Sequence, residues 1–228
     1  MVRGILADPR DVLNAMWEHS IPKHDFGEWQ QFVATELARR NYPAVSTDHI
    51  TSQDLYQTVQ DHIAAHHDTV VICDGGEFGQ WASAVTQADA RVVNGVSGAI
   101  GGGLFYGFAA RVARPDALMG DGSAGFHFAE FETAARNNLP CVVVIGNDKR
   151  WNAEHLIQMR DYEPDRVFGC DLSDARYDLA AQALGAHGEY VTQLSELGSA
   201  LRRAIDSNKP ACVNVVIHGT PAPSGPSH

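Results

Sequence analysis

Short runs of consecutive apolar residues alternate with stretches of helical periodicity along most of this 228-residue chain. The runs at residues 69–74 (TVVICD), 141–146 (CVVVIG) and 211–218 (ACVNVVIH) are typical of strands that are buried on both faces of a sheet. A shorter strand is predicted at residues 117–120. Helices are predicted between these strands, at residues 50–65, 98–113, 126–138, 153–160, 176–186 and 195–207. Strands that alternate with helices predict an α/β fold, a doubly wound parallel sheet with helices on both faces.

The two ends of the chain have a different pattern. Residues 1–44 contain an Asp8-Pro9 helix start and a second amphipathic run, and they predict a short N-terminal helical extension. Residues 45–220 are predicted to form the main domain. The last residues, 221–228, are rich in proline and serine and predict a disordered tail.

Charge and cysteine usage exclude several classes of protein. The formal net charge is −11 at pH 7, so we expect no nucleic acid and no anionic membrane surface as partner. No apolar run approaches the roughly 18 residues of a membrane-spanning helix. The four cysteines are widely spaced and form no CxxC pair, which predicts reduced thiols and a cytoplasmic location.

Polar residues follow two of the predicted strands. In a doubly wound sheet ligands bind at the carboxyl ends of the strands, which places a site in the loops after residues 74, 120 and 146. Gly120, Asp121, Gly122 and Ser123 stand between a strand and a helix, where free backbone N–H groups can hold a phosphate group. Asp121 and Asp148 follow separate strands and are predicted to share one hard cation such as Mg²⁺.

Each of these motifs has a simpler interpretation. A Gly-Asp-Gly-Ser sequence is a common turn before a helix. The glycine-rich segment 98–103 (GAIGGG) is similar to a weak dinucleotide-binding fingerprint, for which Asp121 would be the acidic residue that ends the next strand. The dinucleotide-binding alternative stays open until Asp148 is taken into account.

The segment GDGSAGFHFAEFETAARNNLPCVVVIGND resembles the cofactor motif of the acetolactate synthase and pyruvate decarboxylase superfamily, whose cofactor is thiamine diphosphate (ThDP). The resemblance implies that Asp121 and Asp148 bind Mg²⁺ through their side chains and that Arg150 binds it through its backbone carbonyl. The family more commonly has Asn where Asp148 stands, and the carboxylate adds negative charge beside a diphosphate. The cofactor-binding residues implied around this motif are Gly120, Gly122, Ser123, Asn147 and Trp151.

Two further segments resemble the same family. In NGVSGAIGGGLFYGFAARVARPDALMGDG, the resemblance implies that Gly98, Ala99 and Ile100 bind the cofactor. Ile100 matches the bulky aliphatic residue that sets the shape of the cofactor, and the carbonyl of Gly98 would accept a hydrogen bond from its amino group. In CDGGEFGQW, the resemblance implies that Gly76 and Glu77 face the phosphates, although the family often has Gln where Glu77 stands.

Glu154 matches the position of a family carboxylate on the substrate side of the cofactor, which implies a catalytic proton-transfer role. The alternative is an exposed residue in the first turn of a helix, where a carboxylate is stabilised by the helix dipole.

The resemblance also implies a partner. Family members bind ThDP between two domains, and the second, pyrimidine-binding domain supplies an activating Glu. Because this chain contains one copy of the doubly wound pattern, we expect a second subunit in a heterotetramer or larger assembly. The function implied is the small, C-terminal-like subunit of a lyase, decarboxylase or carboligase acting on a 2-oxo acid or a 2-hydroxyacyl compound. The alternatives are a non-catalytic cofactor-binding or regulatory subunit and a Rossmann-type nucleotide-binding oxidoreductase domain.

Overall fold

The structure is a computed structural model that describes residues 4–19, 25–38, 49–65, 69–93, 99–113, 117–121 and 123–223. For residues 37–38 and 117–121 it describes the backbone alone. The chain divides into two compact units, Met1–Pro43 and Ala44–His228. Each unit is described separately below.

The first unit contains two helices, α1 (Pro9–Glu18) and α2 (Gly27–Ala38). The side chain of Asp8 caps α1 by accepting a hydrogen bond of 2.8 Å from the backbone N–H of Arg10, and Pro9 occupies the first helical position. In α2 the rings of Trp29 and Phe32 stack one turn apart, with centroids separated by 5.7 Å. The helical periodicity of the first residues therefore corresponds to two real helices.

The second unit contains a parallel sheet. Within the described residues six strands follow one another in the spatial order β2-β1-β3-β4-β6-β5, and every neighbouring pair is parallel. They are β1 (Val70–Asp74), β2 (Ala90–Val93), β3 (Ala117–Asp121), β4 (Cys141–Asn147), β5 (His187–Val191) and β6 (Pro210–Val216). The predicted α/β class and parallel sheet are confirmed, but the sequence patterns missed β2 and β5, which form the two edges of the sheet.

Helices cover both faces of the sheet. Helices α3, α4 and α9 pack on one face, and α5, α6 and α8 pack on the other, while α7 contacts α4. The helices are α3 (Ser52–Ala64), α4 (Gly76–Val85), α5 (Gly103–Ala113), α6 (Glu130–Arg136), α7 (Asn152–Tyr162), α8 (Tyr177–Ala183) and α9 (Leu194–Asp206), with short 3₁₀ helices at Ala124–Phe126 and Pro164–Arg166. None of the helices in the described ranges combines the length and the hydropathy of a membrane-spanning segment.

Alternate strand residues enter two separate apolar layers. Val70, Ile72 and Val143 pack with Phe108 and Phe131 beneath α5 and α6. The intervening strand residues, Val71, Val142 and Val144, line a small apolar cavity beneath α3 and α9. Because both layers are apolar, the central strands appear in the sequence as continuous hydrophobic runs.

The strand order contains a switch point between β1 and β3. The chain passes from β1 to β2 on one side and then to β3 on the other, so the carboxyl ends of β1 and β3 border a crevice. Asp74 and Asp121 end these strands in paired register. The order differs from the 3-2-1-4-5-6 order of the dinucleotide-binding fold, which removes the structural support for the Rossmann-type alternative.

Candidate functional site

A pocket of about 230 Å³ lies beyond the carboxyl ends of β1, β3 and β4. Its walls come from the start of α4, the loop before α5, the turn after β3 and the loop that joins β4 to α7. The predicted site residues that line it are Gly76, Glu77, Ile100, Ser123, Asp148, Arg150, Trp151 and Glu154. The fold therefore brings together residues that are separated by up to 78 positions in the sequence, from Gly76 to Glu154.

The remaining predicted residues fall elsewhere. Gly98 and Gly122 lie outside the described residues, and for Gly120 and Asp121 the structure describes the backbone alone. Ala99 is exposed and is not among the residues that line the pocket. Asn147 is buried beneath the pocket, where its amide group donates to the carbonyl of Ala175.

Glycines shape the wall after β1. Gly75 precedes α4 with a φ of 87°, and no described side chain caps this helix, so its first N–H groups remain available to a ligand. A Cβ on Gly79 would lie 2.7 Å from the carbonyl oxygen of Asp74, so a glycine allows α4 to start close against the strand. The Glu77 carboxylate accepts a hydrogen bond from the backbone N–H of Ala222 and is thereby paired with a donor.

The loop before α5 carries Ile100 into the pocket wall. It is held by Asp74, a buried residue whose carboxylate accepts hydrogen bonds from the N–H groups of Gly101 (2.9 Å) and Gly103 (2.6 Å). The helix predicted at residues 98–113 therefore begins only at Gly103, because Gly101 has a φ of 93° that a continuous α-helix does not allow.

The turn after β4 presents Asp148 to the pocket. One carboxylate oxygen accepts a hydrogen bond of 3.1 Å from the N–H of Arg150, and Lys149 between them has a φ of 59°. Burial raises the pKa of Asp148 above its usual value, and the N–H of Arg150 partly offsets that rise. A bound cation would favour the ionised form of this half-buried carboxyl group, as a magnesium ligand requires.

The described side chains do not by themselves complete a metal centre. No group of three or more His, Cys, Asp and Glu side chains comes together as a metal site in the part of the chain that the structure describes. The side chain of Asp121 lies outside that description, although its backbone ends β3 beside the pocket. Mg²⁺ commonly takes only one or two protein carboxylates together with phosphate oxygens and water, so two aspartates are sufficient in number.

Two backbone hydrogen bonds, in the pattern of a short strand pair, fix the loop that holds Asp148. The N–H of Trp151 donates to the carbonyl of Cys170 (2.8 Å), and the N–H of Leu172 donates to the carbonyl of Lys149 (2.7 Å). The Trp151 ring packs against Phe126, with centroids 5.6 Å apart. These contacts give the pocket a defined aromatic wall.

Glu154 occupies the first turn of α7 at the edge of the pocket, and its side chain is exposed. Both sequence interpretations thus remain compatible with its position: a substrate could reach this carboxylate, and the carboxylate also lies where it favours the helix dipole. The next residue, His155, has a buried Nδ1 atom without a hydrogen-bond partner among the described residues.

The sequence patterns missed three parts of the site. The strand pattern marks Asp74 only as the end of a strand, although an acidic residue between an apolar run and two glycines is the available signal. Ser52 lines the pocket from the start of α3. Thr220 also lines it, and two residues of the predicted tail make hydrogen bonds beside it, since the carbonyl of Pro221 accepts from the Trp81 indole (2.9 Å) and Ala222 donates to Glu77.

The chemistry of the pocket fits a group that carries phosphates. The uncapped start of the ten-residue helix α4, a glycine-rich wall and the half-buried carboxyl group of Asp148 suit a diphosphate together with a cation. The buried hydroxyl of Thr220 has no hydrogen-bond partner among the described residues, so the site also retains unused hydrogen-bonding capacity.

Comparison with known proteins identifies the cofactor as thiamine diphosphate, which is also called thiamine pyrophosphate (TPP). Residues 74–215 match the family model for the thiamine pyrophosphate enzyme C-terminal TPP binding domain. The probable acetolactate synthase of Mycobacterium bovis is 35% identical over 161 residues, which cover 65% of this chain and 28% of that protein. The 2-hydroxyacyl-CoA lyase 2 of Bos taurus is 30% identical over 184 residues, which cover 75% of this chain and 28% of that protein.

The similarity to a yeast protein extends over more of the chain. The 2-hydroxyacyl-CoA lyase of Saccharomyces cerevisiae is 26% identical over 215 residues, which cover 90% of this chain and 37% of that protein. The chain thus spans between about a quarter and two fifths of the length of these relatives. The residues that match the family model contain β2 to β5, nearly all of β6 and the pocket loops from Asp74 to Glu154. The chain belongs to the thiamine pyrophosphate enzymes, with their C-terminal ThDP-binding domain.

Proposed function

We propose that this chain holds the diphosphate end of ThDP together with Mg²⁺, as the small, C-terminal-like subunit of a heteromeric lyase, decarboxylase or carboligase. The observation that carries the proposal is the convergence of the α4 start, Ile100, Ser123 and Asp148 on one pocket at the switch point of the sheet. These residues follow four different strands, so no single loop produces the arrangement.

Each part of the pocket has a proposed task. The side chains of Asp121 and Asp148 and the carbonyl of Arg150 would bind Mg²⁺, while Gly122, Ser123 and the N–H groups that begin α4 would bind the diphosphate. The burial of Ser123 and the position of Asp148 in the pocket wall support this assignment. An excess of carboxylates beside a diphosphate is unfavourable, and the pairing of Glu77 with a backbone N–H reduces that cost.

The remaining side chains would form the walls of the reaction space and exchange a proton with the substrate. When bound, ThDP supplies the chemistry for breaking or forming a carbon–carbon bond next to a carbonyl group. Ile100 and Trp151 provide apolar and aromatic walls that exclude water from part of the pocket. Glu154 would exchange a proton with the substrate at its carboxylate, because it is the exposed carboxyl group at the mouth of the pocket.

The substrate class is proposed to be a 2-oxo acid or a 2-hydroxyacyl compound. The relatives named acetolactate synthase and 2-hydroxyacyl-CoA lyase support these two classes. A second polypeptide would carry the pyrimidine-binding domain and its activating Glu. The four cysteines are free and buried, which supports a reducing compartment such as the cytoplasm.

The first experiment is a calorimetric titration of the full chain with ThDP in the presence of MgCl₂, and with NADH as a comparison. We expect ThDP binding that disappears when EDTA removes the metal, and no binding of NADH. The Asp148→Ala variant should lose the metal-dependent binding, whereas Asp161→Ala, which removes a carboxylate of α7 that does not line the pocket, should retain it.

A second experiment tests the partner. Co-purification with the adjacent gene product, followed by assays with 2-oxo acids and 2-hydroxyacyl-CoA thioesters, should yield a complex with ThDP-dependent turnover. ThDP binding without turnover in any complex would favour the non-catalytic subunit instead. Tight NADH binding with no response to ThDP would overturn the proposal.

A further inference from the structure

Asp74 is a buried carboxylate whose two oxygens both accept hydrogen bonds from backbone N–H groups. Its side chain accepts from Gly75 (2.7 Å) through Oδ1, and from Gly101 (2.9 Å) and Gly103 (2.6 Å) through Oδ2. The residue is 1% exposed. Three N–H donors of this kind suit a carboxylate, since hydrogen bonds to a charged acceptor are short and strong.

These donors belong to two separate walls of the pocket. Gly75 directly precedes α4, while Gly101 and Gly103 belong to the loop before α5. Gly103 is the first residue of α5, whose own first turn contains no acidic residue. Asp74 therefore supplies, from the end of β1, the negative charge that a helix N-terminus favours.

Other contacts restrict the same loop from the opposite side. The Nδ1 atom of His127 lies 2.9 Å from the carbonyl oxygen of Gly101. A Cβ on Gly101 would approach the Cβ of Phe126 to 2.7 Å, so the loop backbone lies directly against that side chain. Ile100, which lines the pocket, is thus joined to a residue that is fixed on both sides.

We propose that Asp74 is a positioning residue for the cofactor pocket, which acts by holding loop 99–103 so that Ile100 forms one wall. The proposal rests on the proposed function, because the pocket must bind ThDP for the position of Ile100 to matter. It assigns Asp74 no contact with the cofactor. The competing role is a purely structural cap, which would stabilise the chain without affecting cofactor affinity.

The Asp74→Asn variant separates these roles. Asparagine keeps the size of the side chain but replaces one acceptor oxygen with an NH₂ group, so at least one glycine N–H loses its acceptor. We expect the Kd for ThDP with MgCl₂ to rise by about tenfold or more at a temperature where the variant remains folded.

The matched control is Asp178→Asn. Asp178 is also a buried carboxylate, and it accepts three hydrogen bonds, two from Arg176 and one from Asn214, but it does not line the pocket. This variant should lose stability while its Kd for ThDP stays at the wild-type value. An equal loss of affinity in both variants would indicate a general effect of destabilisation and would overturn the positioning role.

A double-mutant cycle tests whether Asp74 acts through Ile100. Ile100→Ala should weaken ThDP binding in the wild-type background and should have a much smaller effect when Asp74→Asn is already present. Additive effects would overturn the proposed route through the loop.

Hydrogen exchange of the amides gives a readout that needs no cofactor. In the wild type the N–H groups of Gly101 and Gly103 should exchange as slowly as those of β4, and Asp74→Asn should accelerate both by about tenfold or more. Fast exchange of these two amides in the wild type would overturn the proposal even if the variant failed to fold. ThDP binding by the wild type with an unchanged Kd in Asp74→Asn would overturn this inference alone, whereas no binding by the wild type would overturn the proposed function as well.

Discussion

Glu154 has a position that fits two different roles. It is exposed, yet it lines the mouth of the pocket from the first turn of α7. A carboxylate in such a place can exchange protons with a bound substrate, and it can also stabilise its own helix. Kinetics can separate these two roles because only the first affects turnover.

We therefore expect Glu154→Gln to lower turnover of the reconstituted complex by about 100-fold or more, the range typical of a lost general acid or base. Its Kd for ThDP should stay unchanged, because the residue is not assigned to the phosphates or the metal. Glu196→Gln, which changes a carboxylate in the first turn of α9, is the control and should leave turnover unchanged. Normal turnover in Glu154→Gln would show that the carboxylate only stabilises its helix and has no catalytic role.

Gly146 allows β4 to pass close to a side chain of α4. A Cβ at this position would overlap the ring of the buried Phe78. We expect Gly146→Ala to lower the free energy of unfolding by about 1–3 kcal/mol, as is usual for overpacking in a core. Chemical denaturation measures this, with Gly125→Ala as the control, since a Cβ there meets nothing within 4 Å. Equal stability of the two variants would contradict the close packing.

At the level of single residues, the motifs after the strands predicted Asp148 and Ser123 as site residues, and the family resemblance implied Ile100; the structure places all three in the pocket wall. The sequence motifs did not predict Asp74 as part of the site. Two of the three partners of Asp74 are backbone N–H groups of glycines nearly thirty residues away, and no side-chain pattern in the sequence records such contacts. Similarity alone proposed the catalytic role of Glu154, which stays a prediction.

At the level of elements, continuous apolar runs predicted three of the four central strands, β1, β4 and β6, because both of their faces are buried. The two edge strands, β2 and β5, have mixed burial and contain polar residues, so their sequences lack that signal. The same limitation applies to the start of α5. The residues before Gly103 also have a helical composition. The φ of Gly101 and its hydrogen bond to Asp74 prevent a helix there, so α5 begins only at Gly103.

One ion-paired carboxylate joins the edge strand β5 to α9. Glu189 accepts hydrogen bonds from Arg203 of α9 at 3.0 and 2.6 Å and contacts the ring of His187 at 2.7 Å. The Arg203 guanidinium, together with His187, holds the pKa of Glu189 below its ordinary value of 4.5, despite the opposing effect of burial. A lowered pKa in the folded state stabilises the fold above pH 4.5, and this stabilisation is lost as the pH falls through the folded-state pKa.

We expect Glu189→Gln to be less stable than the wild type near neutral pH by less than about 1 kcal/mol, because Arg203 is largely exposed. The difference between the two should shrink as the pH falls from about 5 to about 3. Urea denaturation at a series of pH values measures it. A difference that stays constant over this range would contradict the assigned ion pair.

At the level of the whole molecule, the chain after β6 returns to the pocket that the earlier strands form. Asn152 donates to the carbonyl of Thr220 (3.3 Å), Trp81 donates to that of Pro221 and Glu77 accepts from Ala222. A Cβ on Gly219 would lie 2.6 Å from a carboxylate oxygen of Asp148, so the segment passes directly beside the proposed metal ligand. Residues 219–222 thus complete the pocket wall.

Deletion of residues 219–228 should therefore raise the Kd for ThDP by about tenfold or more, because three side chains at the pocket lose their hydrogen-bond partners. Deletion of residues 224–228 alone removes none of these contacts and should leave the Kd unchanged. Isothermal titration with ThDP and MgCl₂ compares the two proteins. Equal affinity after both deletions would show that the segment contributes nothing to binding.

The sequence by itself determined the class of this fold and most of one binding pocket. Hydrophobic periodicity is a local property, and the motif after each strand lies next to that strand in the chain, so both can be recognised without a structure. Only the tertiary structure decided the order of the strands, the hydrogen bonds of Asp74 and the return of residues 219–222 to the pocket. Each of these depends on hydrogen bonds in which at least one partner is a backbone group far away in the chain, and the backbone is chemically the same at almost every position.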